Sequence, residues 1–297
     1  MFLNLLTFLS YYILTSPALL HRETFLSMAT ARKAVKGVLL DLSGTLHIDN
    51  VVTPNAVKAL KKLRASGISV RFVTNSTKTS DERLFAKLTG LGFELDRREI
   101  FTSLCAAKQL VRARRYRPLL LLESEALEQF ADIDQDPPHT AVVVGLAPSK
   151  FDYVHMNNAF KALLDGADLI GIHKAKYYAP TENQLAMGPG GFVAALEYAG
   201  DKKAVLVGKP AKEFYKLALV DMGLLDSPES VAMVGDDVLA DLGGGAQELG
   251  LKRYLVRTGK YRANDEAKAQ VPLDGTFDTF SDVVDALLPP TIADDSV

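Results

Sequence analysis

One cysteine in 297 residues, Cys105, leaves no internal disulfide and no cysteine-built zinc site to consider. Leu104 and Leu110 set it in an amphipathic stretch, where a buried, inert thiol is the expected state. Histidine is almost as sparse: five residues, scattered, with no His-x-x-x-His pair. Any metal held by this chain is therefore expected to be a hard ion bound through oxygen. Charge of neither sign dominates, at a formal net charge of -2 with 24% charged residues. No basic stripe marks a nucleic-acid surface. The cluster Arg112, Arg114, Arg115 and Arg117 closes a predicted helix, where cations oppose the negative end of the dipole. Gly243-Gly-Gly245 lacks the spacing of a phosphate-binding loop and reads as small residues inside a helix, allowing close packing.

The length admits one large or two modest domains. Residues 1–20 are apolar and uncharged, just long enough to span a bilayer. They lack the basic start and small-residue cleavage site of a secretory signal. The extension 1–27 is an anchor, whose flanking Arg22, Arg32, Lys33 and Lys36 would hold the rest of the chain in the cytosol, a signal, or an upstream artefact of the start assignment. Met28 opens a plausible start of its own. A cytoplasmic protein is expected, with a membrane partner only if the segment is real.

The chemistry starts at Lys36-Gly-Val-Leu-Leu-Asp-Leu-Ser-Gly-Thr-Leu46. An apolar run ends abruptly in Asp41 and a turn of small residues, as when a buried strand delivers an acid to the edge of an open sheet, where ligands bind. An ordinary surface turn is the alternative. Further on, Thr53-Pro54 predicts a helix start and Gly67 its end. Ile68 to Thr74 reads as a strand ending in Thr74-Asn75-Ser76, and Thr79-Ser-Asp-Glu82 as a capping box. Ile100 to Ser103 is a third strand. This alternation predicts an α/β fold, a doubly wound parallel sheet with helices on both faces.

Strands are predicted again at Pro118 to Leu122, Ala141 to Gly145 and Asp168 to His173, with a helix from Phe151 to Leu164. They form a second α/β domain inserted at 104–187. His173-Lys-Ala-Lys-Tyr-Tyr178 suits recognition of an anionic or planar substrate, with His173 and Lys174 as specificity candidates, or else is a solvated loop. Gly188-Pro-Gly-Gly191 is expected to return the chain to the core. Ala204 to Val207 would be a strand leading to Gly208-Lys209-Pro210, with Pro210 opening a helix beside Lys209. Ser230 to Val234 ends in Gly235-Asp236-Asp237, with Asp241 beyond; three carboxylates after one strand repel one another unless a cation sits between them. Lys252 to Val256 is read as the last core strand, Ser281 to Leu288 as a terminal helix, and 291–297 as a tail.

These four strand ends resemble the motifs of the haloacid dehalogenase superfamily of phosphohydrolases. The insertion resembles the α/β cap of its subgroup that includes NagD-type and pyridoxal phosphatases. The resemblance covers nearly everything from Met28 onward. It implies a core at 28–103 and 188–290, and an Mg²⁺-dependent phosphatase acting on a small phosphorylated molecule through an aspartyl-phosphate on Asp41. It implies that Asp41, Leu42, Ser43, Thr74, Asn75 and Lys209 meet the phosphate. Mg²⁺ would lie on Asp41, Asp236 and the Ser43 carbonyl, with Asp237 and Asp241 in support. One residue departs from the pattern: Ser43 stands where most members place an acid that protonates the leaving group. Hence the alternative, a catalytically weak or inactive phospho-ligand or protein-binding module on the same fold. A homodimer through the cap is a further expectation.

Overall fold

The computed structural model describes residues 34–178 and 184–288. The expected extension and tail lie outside the described residues, among which no helix is long and apolar enough to cross a membrane. In chain order the strands are β1 (Gly37–Leu40), β2 (His47–Ile48), β3 (Val51–Val52), β4 (Ser69–Thr74), β5 (Ile100–Thr102), β6 (Pro118–Leu121) and β7 (Ala141–Val144). They continue with β8 (Asp168–Gly171), β9 (Tyr177–Tyr178), β10 (Ala186–Met187), β11 (Val205–Leu206), β12 (Val231–Gly235), β13 (Lys252–Val256) and β14 (Gly275–Phe277).

A six-stranded sheet runs β14-β13-β12-β1-β4-β5, and every neighbouring pair is parallel. Its central strand is apolar throughout because both faces are covered. Val38 and Leu40 pack against Leu60 and Leu63 of the helix Ala56–Ala65 and Val283 of the helix Phe280–Leu287. Leu39 turns the other way, toward Phe214 and Leu219 of the helix Lys212–Asp221. Leu40, the last residue of β1, pairs with both Phe72 and Val234, so β1, β4 and β12 end within two residues of one another along the sheet. The chain leaves β1 toward β4 and β5 and later returns on the other side at β12. The crevice at this reversal of strand order is where open α/β sheets bind ligands, and Asp41 follows β1 into it.

The second sheet, β11-β8-β7-β6, is also fully parallel. Leu104 and Val111 of the helix Ser103–Ala113 and Phe130 cover one face; the helices Tyr153–Leu164 and Gly190–Gly200 cover the other through Ala159, Leu163, Val193 and Leu196. The expected return to the core at Gly188 is thereby corrected. The helix Gly190–Gly200 packs on the second sheet and β11 pairs with β8. A short apolar strand does not encode which sheet it joins. The glycines at 188 and 190 serve a close approach instead: a Cβ at either would lie 2.3 Å from the Ala175 carbonyl oxygen or 2.6 Å from that of Lys174.

Local readings change for similar reasons. Thr53 does not cap a helix; its hydroxyl donates to the Thr45 and Leu46 carbonyls, and the helix begins at Ala56. No capping box forms at Thr79 to Glu82, because Ser80 donates to Glu128 across the domain junction. β14 adds an edge strand beyond the one expected to be last. Gly243 to Gly245 start the helix Gly244–Glu248 rather than lying inside one, and a Cβ on Gly245 would meet Lys212 Cα at 2.4 Å, so the close-packing role stands.

Candidate active site

Asp41 emerges from β1 with its amide bonded to the Val234 carbonyl at 3.0 Å. The chain then doubles back: the Leu42 carbonyl accepts from Leu46 N at 2.9 Å, and Leu42 itself is buried in the core, so only its main chain is left to meet a substrate. Thr45 donates to Asp41 Oδ2 at 3.3 Å. Ser43 is exposed, and its backbone bridges to His47.

Lys209 reaches Asp41 from the opposite side of the crevice. Its Nζ lies 2.5 Å from Asp41 Oδ1, 2.7 Å from Asp241 Oδ1 and 3.2 Å from the Val73 carbonyl, with almost none of the side chain exposed. Burial opposes its charge, but the Asp241 and Asp41 carboxylates outweigh that and raise its pKa, so it stays an ammonium. Asn75 holds it in place: Oδ1 accepts from Lys209 N at 2.9 Å and Nδ2 donates to Lys209 O at 2.8 Å. Thus Asn75, expected on a phosphate oxygen, uses both polar ends on the Lys209 backbone. Thr74 is buried beside it, its hydroxyl accepting from Ser76 N at 3.1 Å. The expected helix start at Pro210 moves to Lys212, with Ala211 as its cap.

Asp236 follows β12 and is buried between two glycines. A Cβ on Gly44 would lie 1.9 Å from Asp236 Oδ2, and one on Gly259 2.1 Å from it; both glycines have positive φ, +99° and +57°. Only glycine fits such a close approach in that backbone region. Oδ2 accepts from Lys260 N at 2.6 Å, while Oδ1 is buried with no partner. Burial pushes the Asp236 carboxyl well above the usual range, Lys260 opposes this, and Asp41 and Asp241 add to it. Asp241 is also pushed up, to about 6, chiefly by burial, while Lys209 holds it ionised at neutral pH.

Asp41, Asp236 and Asp241 each offer an oxygen within 4.8 Å of the others. An orphaned buried carboxylate oxygen amid an all-oxygen donor set fits a hard divalent cation. Asp241 has little left to give such an ion, since Oδ1 faces Lys209 and Oδ2 accepts from Asp237 N at 3.1 Å. Asp237 is turned to the backbone, where its Oδ1 accepts from Leu239 N and Ala240 N.

The second sheet brings His173 to this crevice. Ile172 O accepts from Gly208 N at 2.8 Å, so His173 adjoins the residue pair that carries Lys209. His173 is 7% exposed, and burial, with Lys260 and Lys209 nearby, lowers its pKa to about 3. Lys174 is not brought in; its Nζ pairs with Glu197 at 2.7 Å. Tyr178 meets the first domain instead, with Lys78 Nζ 4.4 Å above its ring.

Sequence reasoning missed Thr258-Gly259-Lys260. Thr258 donates to the Gly44 carbonyl, and Lys260 Nζ stands 3.6 Å from Asp237 Oδ2. The signal was present: a Gly-containing polar turn directly after the apolar run ending at Val256, a strand end of the same kind as the others.

The chain matches the family described as haloacid dehalogenase-like hydrolase over residues 38–134 and a HAD-hydrolase-like family over 206–283. It is 50% identical over 258 residues to haloacid dehalogenase-like hydrolase domain-containing protein 2 of Mus musculus, spanning 87% of this chain and 98% of that one. It is 40% identical over 262 residues to phospholysine phosphohistidine inorganic pyrophosphate phosphatase of Danio rerio, spanning 86% and 95%. Among solved structures, p-nitrophenyl phosphatase from Archaeoglobus fulgidus superposes with a TM-score of 0.78 at 25% identity, over 85% of this chain and 99% of that one.

Proposed function

Because the chain belongs to the haloacid dehalogenase-like hydrolases and is a phosphatase of that family, we propose that it cleaves small phosphorylated molecules through an aspartyl-phosphate on Asp41, with Mg²⁺. The observation that carries this reading is the Lys209 ammonium, buried and bridging Asp41 and Asp241 at 2.5 and 2.7 Å. It fixes one Asp41 oxygen and places positive charge where a phosphoryl oxygen must come. An Asp41 oxygen attacks phosphorus, the Asp41 O–P bond forms, and the P–O bond to the leaving group breaks with its electron pair on the departing oxygen. Water then cleaves the acyl phosphate and frees Asp41. Mg²⁺, held by Asp41, Asp236 and the Ser43 main chain, would neutralise phosphate charge. Thr74 and Lys209 orient the phosphate, so catalysis is positioning and electrostatics.

Ser43 offers no carboxylic acid to protonate the leaving group, a contribution worth about 10²–10⁴-fold where present. Turnover should therefore favour groups that depart unaided: aryl and acyl phosphates, phosphoramidates and pyrophosphate. The names of the phosphohistidine, pyrophosphate and p-nitrophenyl phosphatases among its relatives support that class. We also read the protein as cytosolic, supported by its single cysteine. Rapid-quench labelling with a radiolabelled aryl phosphate tests the mechanism. A burst of hydroxylamine-sensitive label, absent in Asp41→Asn, is expected; no label on the parent would favour the binding-module alternative.

A further inference from the structure

Lys260 and His173 take no part in the attack on phosphorus or the hydrolysis of the acyl phosphate, yet each lies at the crevice, Lys260 beside Asp236 and His173 within electrostatic reach of Lys260 and Lys209. Lys260 is anchored through its backbone, N to Asp236 Oδ2 at 2.6 Å, so its position is tied to the acid cluster. Its side chain is 29% exposed and its Nζ is only loosely held by Asp237, at 3.6 Å. It is therefore a partly exposed ammonium with one loose partner, unlike Lys209, which the carboxylates enclose.

His173 enters from the end of β8. Its Nδ1 accepts from Ala175 N at 3.3 Å, which puts the ring proton on Nε2. A ring buried beside two ammonium groups remains neutral. It is therefore a hydrogen-bond donor that does not repel Lys260. The crevice thus has a phosphoryl side, built by Asp41, Lys209 and Thr74, and a second side bearing one ammonium and one neutral donor.

We propose that Lys260 and His173 form the leaving-group side of the site, holding the oxygen that departs from phosphorus so that a leaving group able to carry negative charge is expelled without being protonated. This rests on the phosphatase mechanism through Asp41. As the P–O bond breaks, the electron pair stays on the departing oxygen; the Lys260 ammonium neutralises that charge, the His173 Nε2–H hydrogen-bonds to it, and neither residue gives up its proton. Electrostatic stabilisation thereby replaces the proton donor missing at Ser43. The matching leaving group is a compact anion, such as the second phosphate of a phosphoanhydride, rather than a neutral alcohol.

Binding separates this inference from turnover. Methylphosphonate fills only the phosphoryl side, whereas methylenediphosphonate places a second anionic group on the leaving-group side and cannot be hydrolysed there. With saturating Mg²⁺, calorimetry of the parent should show the diphosphonate binding about 30–100-fold tighter, the size of one or two charge-assisted hydrogen bonds. Lys260→Gln should reduce that ratio to within about 3-fold. Lys260→Arg should keep most of it, and His173→Ala should lose part. The methylphosphonate affinity serves as the control for a merely structural role, since a disturbed acid cluster would weaken both ligands alike. Equal weakening of both ligands in Lys260→Gln, or an unchanged ratio, would overturn the proposal. Failure to label Asp41 would overturn the phosphatase mechanism while leaving this binding result readable.

Discussion

Two parallel sheets lie in this molecule, alike in architecture and unlike at their strand ends. In the six-stranded sheet, β1 leads into Asp41, β4 ends at Thr74 and β12 leads into Asp236, all polar and all buried. In the four-stranded sheet, β6 leads into Leu122 and β7 into Gly145, packed against one another and against Thr77, whereas β8 leads to His173 and the edge strand β11 to Lys209. Burying polar groups is costly unless they are satisfied. The first sheet tolerates it because Lys209, Asn75 and the Gly44 and Gly259 turns surround those acids. The second sheet supplies part of that support, since Lys209 follows its edge strand β11, while β6 and β7 end apolar. The acids therefore follow the strands of one sheet, while the other contributes the Lys209 ammonium that meets them and the buried His173.

Asp41→Asn should give the largest effect. The amide is nearly isosteric and cannot attack phosphorus, so turnover should fall below about one ten-thousandth of the parent's, with the melting temperature little changed. Activity near the parent's would show that the first sheet's central acid is not the nucleophile. Gly44→Ala comes next, since its methyl would fall 1.9 Å from Asp236 Oδ2 in a left-handed backbone. A stability loss of about 1–3 kcal/mol is expected, together with a weakened Mg²⁺ titration. An unchanged titration would mean that Asp236 is not where the metal goes.

Asn75→Ala should be milder. It removes two hydrogen bonds from the Lys209 backbone but leaves the ammonium, so kcat should drop about 10-fold as positioning loosens while KM changes less. A rise in KM alone would instead put Asn75 on the substrate.

The smallest effect sharpens the second sheet's role. His173 has a folded pKa of about 3 against an ordinary value of 6.5. Between those values the unfolded chain binds a proton that the folded chain refuses, so stability falls as pH drops from 6.5 toward 3. Replacing His173 by Gln should flatten the decline of melting temperature over that window, with His47, also lowered by burial, supplying part of what slope remains. A parallel decline in both proteins would show that His173 is not buried as a neutral ring.

The alternating α/β pattern, the acid at the end of β1 and the cluster at Asp236, Asp237 and Asp241 were all legible in the order of residues. Each is a local signal: an apolar run long enough for a strand, then an abrupt polar turn. Composition likewise pointed to an oxygen-bound metal, since a cluster of cysteines and a closely spaced histidine pair are both missing. The allegiance of β11 came only with the assembled fold, because two apolar residues suit either sheet until β8 is beside them. So did the grip of Asn75 on the Lys209 backbone across 134 positions of sequence, the turn of Lys174 away to Glu197, and the arrival of Lys260 beside Asp236. Periodicity records which face of an element is buried; which distant side chain a polar group will meet depends on how the sheets are ordered and how closely glycine lets their loops approach.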